Sequence, residues 1–419
     1  MDHSSLDFGL HTDRLAEIAV KIGVNLQPQQ ELIVNAPVEA VELVRAIATH
    51  AYRAGAKNVA VNFADETLSR IQAVEGADAI FDYAPAWRYD ALHRAATEGA
   101  GFLTIFGADP NLLAGCDPLR LARSQKSHAL AAQAFRGLLG GFKNRWSIIP
   151  YAHPAWAKAV FPGRPEEEAV DLLWRAIFAA TRVASDDPVV NWQGHVGQLH
   201  ARAALLTQKR FAALHFAGPG TDLRVGLVDG HIWAGGAVDA ADGIRCLPNL
   251  PTEEVFTMPH RERVDGVVRA TKPLSFQGSL IEGIEVRFEA GRIVAANASA
   301  GADIFRNLIA TDQGAARLGE VALVPDASPI SQSGLLFQNT LFDENAASHI
   351  AIGRAFGINV AGGQIEGVAG ANNSVVHVDW MIGSGEIDVD GVYDNGDSEP
   401  VMRKGAFTET AANIKSPQS

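Results

Sequence analysis

Apolar positions along the chain follow one rhythm in its first part and another in its second. Leu15 to Ile22 carries apolar residues at helical spacing, and Glu31-Leu32-Ile33-Val34-Asn35-Ala36 is a short run of the kind that forms a buried strand. Val38 to Gly55 returns to helical spacing and stops at a glycine, a common residue just beyond a helix end. Lys57 to Phe63 is the next strand, and Gly101 to Gly107 predicts another. Strand, helix and strand within about 30 residues make a βαβ unit, so a parallel sheet follows. Residues 164–182 predict a helix whose first turn gathers Glu166, Glu167 and Glu168, favourable against the helix dipole. From about residue 185 short strands and glycine turns take over, and Ile284-Glu285-Val286-Arg287-Phe288 alternates with period two, as a half-buried antiparallel strand does. The expected architecture is α/β. An N-terminal βαβ parallel-sheet domain spans 1–184, and a C-terminal α+β metal-binding domain with a mixed or antiparallel sheet spans 185–419.

Composition narrows the functional classes. A chain of 419 residues that is 47% hydrophobic and 20% charged can bury large cores. Its 35 Lys+Arg against 48 Asp+Glu give a net charge of −13, which disfavours a nucleic-acid partner. No apolar run reaches the roughly 18 residues of a membrane span. The opening Met1-Asp2-His3-Ser4-Ser5-Leu6-Asp7 has no secretory pattern, so a cytoplasmic location without a membrane partner is expected. Two cysteines, Cys116 and Cys246, are too few for a disulfide scaffold or a thiolate zinc site. The turn after the first strand, Asn35-Ala36-Pro37-Val38-Glu39, lacks the glycine fingerprint that lets a dinucleotide approach.

Metal-type ligands concentrate in two segments. Leu341 to Phe356 is helical by composition, with Asp343 or Asn345 available as N-cap; on that helix His349 shares a face with Ile352, Gly353 and Phe356. Ser374 to Ile382 is β-branched and predicts a strand that points His377 and Asp379 to one side, about 7 Å apart, with Trp380 facing the opposite way into a core. Two glutamate positions accompany them. Glu320 begins an apolar run, Val321-Ala322-Leu323-Val324, where an unpaired charge would be costly. Glu253 and Glu254 are adjacent, so in an extended segment at most one of them faces a given site. His195, His200, His215 and His231 read as ordinary core or surface histidines.

Four ordered motifs, Leu250 to Thr257, Gly319 to Val324, Phe337 to Ala351 and Asn372 to Asp379, resemble the thermophilic-type metalloaminopeptidases. The likeness extends to Gly23-Val24-Asn25-Leu26-Gln27-Pro28, Ala51 to Lys57 and Arg145-Trp146-Ser147-Ile148. The resemblance implies a hydrolase that removes N-terminal residues from short peptides. It implies two divalent metal ions (zinc, cobalt or manganese) held by Glu254, Glu320, His349, His377 and Asp379. It further implies a homodimer. The family's tyrosine ligand falls on Phe356, which has no donor; Tyr393 is a candidate substitute that nothing in the sequence places there. Glu253, beside a ligand, is a candidate general base. Two alternatives stay open. His349, His377 and Asp379 alone make a 2-His-1-carboxylate set suited to Fe(II) in a ring-cleaving dioxygenase, and a binding relative without catalysis is the other.

Overall fold

The computed structural model of the chain describes residues 7–276 and 278–408; the first six residues, read above for a signal segment, lie outside them. The chain falls into two compact units, Met1–Gln193 with Ala237–Leu250, and Gly194–Gly236 with Pro251–Ser419.

In the first unit β1 (Glu31–Pro37), β2 (Asn58–Ala64), β3 (Gly101–Phe106) and β4 (Trp146–Pro150) form a parallel sheet in the order β2-β1-β3-β4. The crossover from β1 to β2 is the helix Val41–Arg53, which buries Leu43, Val44, Ile47 and Ala51 at helical spacing. Gly55, at φ +88°, takes the left-handed conformation that ends it. The helix expected over 164–182 runs Glu166–Ala180. Sequence suggested one boundary near residue 185, but the chain crosses between the units after Gln193, Gly236 and Leu250. The return segment carries the two-residue strands β7 (Val238–Asp239) and β8 (Arg245–Cys246). Its Leu247 N–H donates to the Gly23 carbonyl at 2.7 Å, and its Leu250 N–H to that of Ile148 at 3.1 Å. Those long-range backbone bonds assign it to the first unit, and local composition carries no trace of them.

The second unit holds two larger sheets. The eight-stranded one runs in the order β14-β13-β10-β6-β5-β18-β19-β20. Its strands are β5 (Ala213–Gly218), β6 (Thr221–Leu227), β10 (Pro259–Arg269), β13 (Glu285–Glu289), β14 (Arg292–Asn297), β18 (Asp388–Val392), β19 (Ser398–Arg403) and β20 (Ala406–Phe407). A hairpin, β11 (Leu274–Phe276) with β12 (Ser279–Ile281), stands apart. The smaller sheet is antiparallel throughout. It comprises β17 (His377–Met381), β16 (His349–Gly353), β15 (Leu318–Leu323) and β9 (Val255–Thr257) in that order. Among the described residues no helix is long and apolar enough to cross a membrane.

The register of the four-stranded sheet sorts its side chains. Directly opposed residues share a face, and the pairs Val321–Ile350, Ile350–Trp380 and Leu323–Val255 put one set together. With Ile352 these belong to the buried core of the unit. The other face receives His349, Ala351 and Gly353 from β16, Glu320 and Ala322 from β15, His377 and Asp379 from β17 and Phe256 from β9. Here the expected helix over 341–356 is corrected. Helix covers Thr340–Asp343, a 3₁₀ turn covers Glu344–Ala346, and from His349 the chain is strand. Ile350 and Ile352 alternate with Ala351 and Gly353, so large apolar residues meet the core while small ones leave room opposite. Helical composition lost to that period of two.

Gly353 pairs with His377 at φ +101°, and an added Cβ would stand 2.0 Å from the Val376 carbonyl oxygen. Gly353→Ala is therefore expected to destabilise the protein by about 1–3 kcal/mol, seen as a lower denaturation midpoint at unchanged slope. An unshifted midpoint would show that the turn out of β16 tolerates a side chain.

Candidate metal centre

Five of the side chains singled out in the sequence converge on the small-residue face of that sheet. His349 Nε2 lies 3.1 Å from Glu254 Oε2, 3.5 Å from Glu320 Oε1 and 4.0 Å from Asp379 Oδ1. His377 Nε2 lies 3.3 Å from Asp379 Oδ1 and 3.9 Å from Glu320 Oε2. The donors form two overlapping groups, Glu254–Glu320–His349 and Glu320–His377–Asp379, each with its donor atoms within 4.8 Å of one another. Glu320 belongs to both and turns a different oxygen to each imidazole. Its position inside β15, opposite Ala351, places it at the centre of the face.

Both imidazoles are oriented from behind. The Nδ1 of His377 is 2.7 Å from the Arg354 carbonyl oxygen and that of His349 is 3.2 Å from the Ala347 carbonyl oxygen. A ring that donates from Nδ1 to a backbone carbonyl presents Nε2 as the ligand, the usual outer-shell arrangement of a metal-binding histidine. Three buried donor atoms, His349 Nε2, Glu254 Oε2 and Asp379 Oδ1, meet their neighbours as ion pairs but complete no well-directed hydrogen bond. Buried polar atoms seldom stay without one. Nitrogen and carboxylate donors around one small volume fit a divalent cation of the zinc, cobalt or manganese type.

Electrostatics agree with that fit. Burial pushes Glu320 up to about 7, although the neighbouring His349 pulls the other way. Burial works against the charged form of His349, yet the Glu254 and Glu320 carboxylates hold its imidazole well above the ordinary histidine value. His377 is raised to about 10, burial being outweighed by Asp379. Asp379 is held below the usual carboxylate value; burial opposes this, and the charge of His377 prevails.

Glu253 does not join the cluster. Its Oε2 is 3.5 Å from His195 Nε2, and its backbone N–H donates to Asn345 Oδ1 at 2.7 Å. Adjacent residues of an extended segment diverge, so Glu254 takes the metal face and Glu253 the other side. His195, read as an ordinary histidine, is the group that receives it, and its ring also lies 2.9 Å from the Thr252 carbonyl oxygen. Phe356 lies over the site with its ring centroid 4.5 Å from that of His377. Tyr393 packs on Phe211 instead, at 5.1 Å between centroids, and does not substitute. Trp380 is buried in the core, as its alternation predicts.

Sequence reading passed over Glu344. Burial drives its carboxyl well above the ordinary value, and the charges of Asp379 and Glu254 push it further. It sits in Phe342-Asp343-Glu344-Asn345-Ala346-Ala347, where nothing in the letters sets it apart from Asp343. Asp343 beside it accepts N–H bonds from Phe337 at 2.7 Å and Asn339 at 2.9 Å, so it fixes the loop rather than facing the cluster.

A raised pKa means that the proton is kept below that value, so both imidazoles carry protons at neutral pH until a cation displaces them. Metal loading at pH 7 is expected to release about two protons per chain from the imidazoles and a further fraction of one from Glu320, and affinity to fall as the pH is lowered. Calorimetric titrations in buffers of different ionisation enthalpy measure the release, and a value near zero would contradict the electrostatics described here.

Comparison with known proteins fits this geometry. Residues 10–407 match the family model described as thermophilic metalloprotease (M29). Aminopeptidase T of Thermus thermophilus is 51% identical over 403 residues, covering 96% of this chain and 99% of that protein. The solved structure of wild-type AmpT from Thermus thermophilus superposes with a TM-score of 0.91, covering 95% of this chain and 99% of the other. A 2,5-dihydroxypyridine dioxygenase from Pseudomonas putida KT2440 shares the fold alone, at a TM-score of 0.52 and 13% identity, with 98% and 100% of the two chains covered. On the match over nearly its whole length, the chain belongs to the thermophilic metalloprotease family M29 and is a metal-dependent hydrolase.

Proposed function

We propose that the protein is an aminopeptidase that removes N-terminal residues from short peptides at a centre of two divalent cations. The observation that carries this reading is the convergence of Glu254, Glu320, His349, His377 and Asp379 into two groups of metal-type donors joined by Glu320. Glu254 and His349 would hold one cation, His377 and Asp379 the other, and Glu320 would be shared. Bound divalent cations would supply an acidified water and polarise the scissile carbonyl. The backbone carbonyls of Arg354 and Ala347 keep the imidazoles aimed. Glu344, half-buried beside the cluster and outside both groups, is the carboxylate available to hold the proton lost by the attacking water. Glu253, turned to His195, anchors the Glu254 segment. The relatives' names, aminopeptidase T among them, support the substrate class.

Purified protein supplied with Co²⁺, Zn²⁺ or Mn²⁺ is expected to hydrolyse aminoacyl-p-nitroanilides and dipeptides but not their N-acetylated forms. Elemental analysis is expected to find two non-iron cations per chain; one iron with oxygen uptake would replace this reading with the dioxygenase. His349→Ala is expected to cost more kcat/KM than the about 10–100-fold typical of an outer-shell partner, whereas Glu344→Gln lowers kcat and spares metal affinity. Phe356→Tyr would place an oxygen donor where the family pattern has one, beside His377, and is expected to tighten the cation held by His377 and Asp379 severalfold in a direct metal titration. Unchanged affinity would show that the hydroxyl does not reach.

A further inference from the structure

Phe356 touches the cluster and yet faces solvent. Its ring centroid is 4.5 Å from the imidazole of His377 on β17 and 6.5 Å, edge to face, from the ring of Phe256 on β9. Those are the two outer strands of the four-stranded sheet, and both residues stand on the face that carries Glu320, His349 and Asp379. Phe356 therefore lies over that face. Yet it is 40% exposed, while Glu254, Glu320, His349 and Asp379 are all buried. The ring has no donor or acceptor to offer an ion, so what it presents beside His377 is open apolar area. Phe256, partly exposed and on the same face, extends that surface. The segment that precedes Phe356 is fixed. The Arg354 N–H donates to the Val376 carbonyl at 2.7 Å and the Ala355 N–H to that of Asn372 at 2.9 Å, so the ring is carried on a braced backbone.

We infer that Phe356, backed by Phe256, is the wall against which the side chain of the substrate's N-terminal residue packs, and that it selects peptides whose first side chain is apolar. The inference rests on the aminopeptidase reading and deepens it. An aromatic surface beside a site that must hold the free amino end rewards a leucine or phenylalanine side chain by removing apolar area from water, and offers glycine nothing. Contact of this kind discriminates by about 10-fold or somewhat more.

The test compares wild type, Phe356→Ala and the conservative Phe356→Leu on leucyl-, phenylalanyl-, alanyl- and glycyl-p-nitroanilide. The same proteins, metal-loaded, are titrated calorimetrically with free leucine and glycine, and metal affinity is measured separately. In Phe356→Ala the preference for leucyl and phenylalanyl over glycyl substrates is expected to fall about tenfold. The change should lie mainly in the KM of the leucyl and phenylalanyl substrates, while Phe356→Leu retains most of the preference. An equal loss on all four substrates together with weaker metal binding would show that the ring only braces His377, and would overturn the inference. An unaltered preference would overturn it too. Absence of any hydrolysis by wild type would instead sink the aminopeptidase reading, and the leucine-to-glycine affinity ratio would then decide whether Phe356 still forms an apolar wall.

Discussion

Three carboxylates and two imidazoles share a volume from which water is largely removed, and the surrounding architecture answers to that fact. Isolated charges in such a place would shift their proton affinities or refuse to stay buried. The chain's response is visible in opposite directions within a few ångströms, with Glu320 pushed up and Asp379 held down. Glu320 cannot be lifted from this balance alone, because each of its oxygens faces a different ring. A divalent cation resolves the same conflict with less rearrangement than protons do, since it meets several oxygens and nitrogens at once.

The four-stranded sheet makes that concentration of polar groups tolerable. One side is sealed by Val255, Val321, Ile350, Ile352 and Trp380, so the strands are anchored by apolar contact independent of the cluster. On the other side Ala322, Ala351 and Gly353 hold back, and the long donors lean into the space left open. Register enforces the division: a slip of one residue in β16 would turn His349 into the core and Ile350 toward the carboxylates. Phe356 sits above this arrangement as an apolar surface among polar ones.

Much of this was readable in the chain. The period of two in Ser374 to Ile382 placed His377 and Asp379 on one side and Trp380 on the other, and adjacency in an extended segment separated Glu253 from Glu254. The parallel sheet followed from strand–helix–strand spacing in residues 31–63. Ala346, Ala347 and Ala351 misled, because alanine suits a helix as readily as the crowded face of a buried strand, and only pairing with β15 and β17 decides between them. Glu344 stayed hidden among the letters of its motif, since burial is a property of the folded environment. The destination of residues 237–250 depends on backbone bonds to Gly23 and Ile148, which no local pattern announces.

That returning segment has a consequence for how such a chain can change. Because the path enters the second unit at Gly194, leaves it at Gly236 and re-enters at Pro251, neither unit is a continuous stretch of polypeptide. A single cut or fusion point cannot detach either one whole, and a single recombination event cannot exchange one for a homologous copy. Rather than being shuffled as interchangeable modules, the two units are bound to be inherited together.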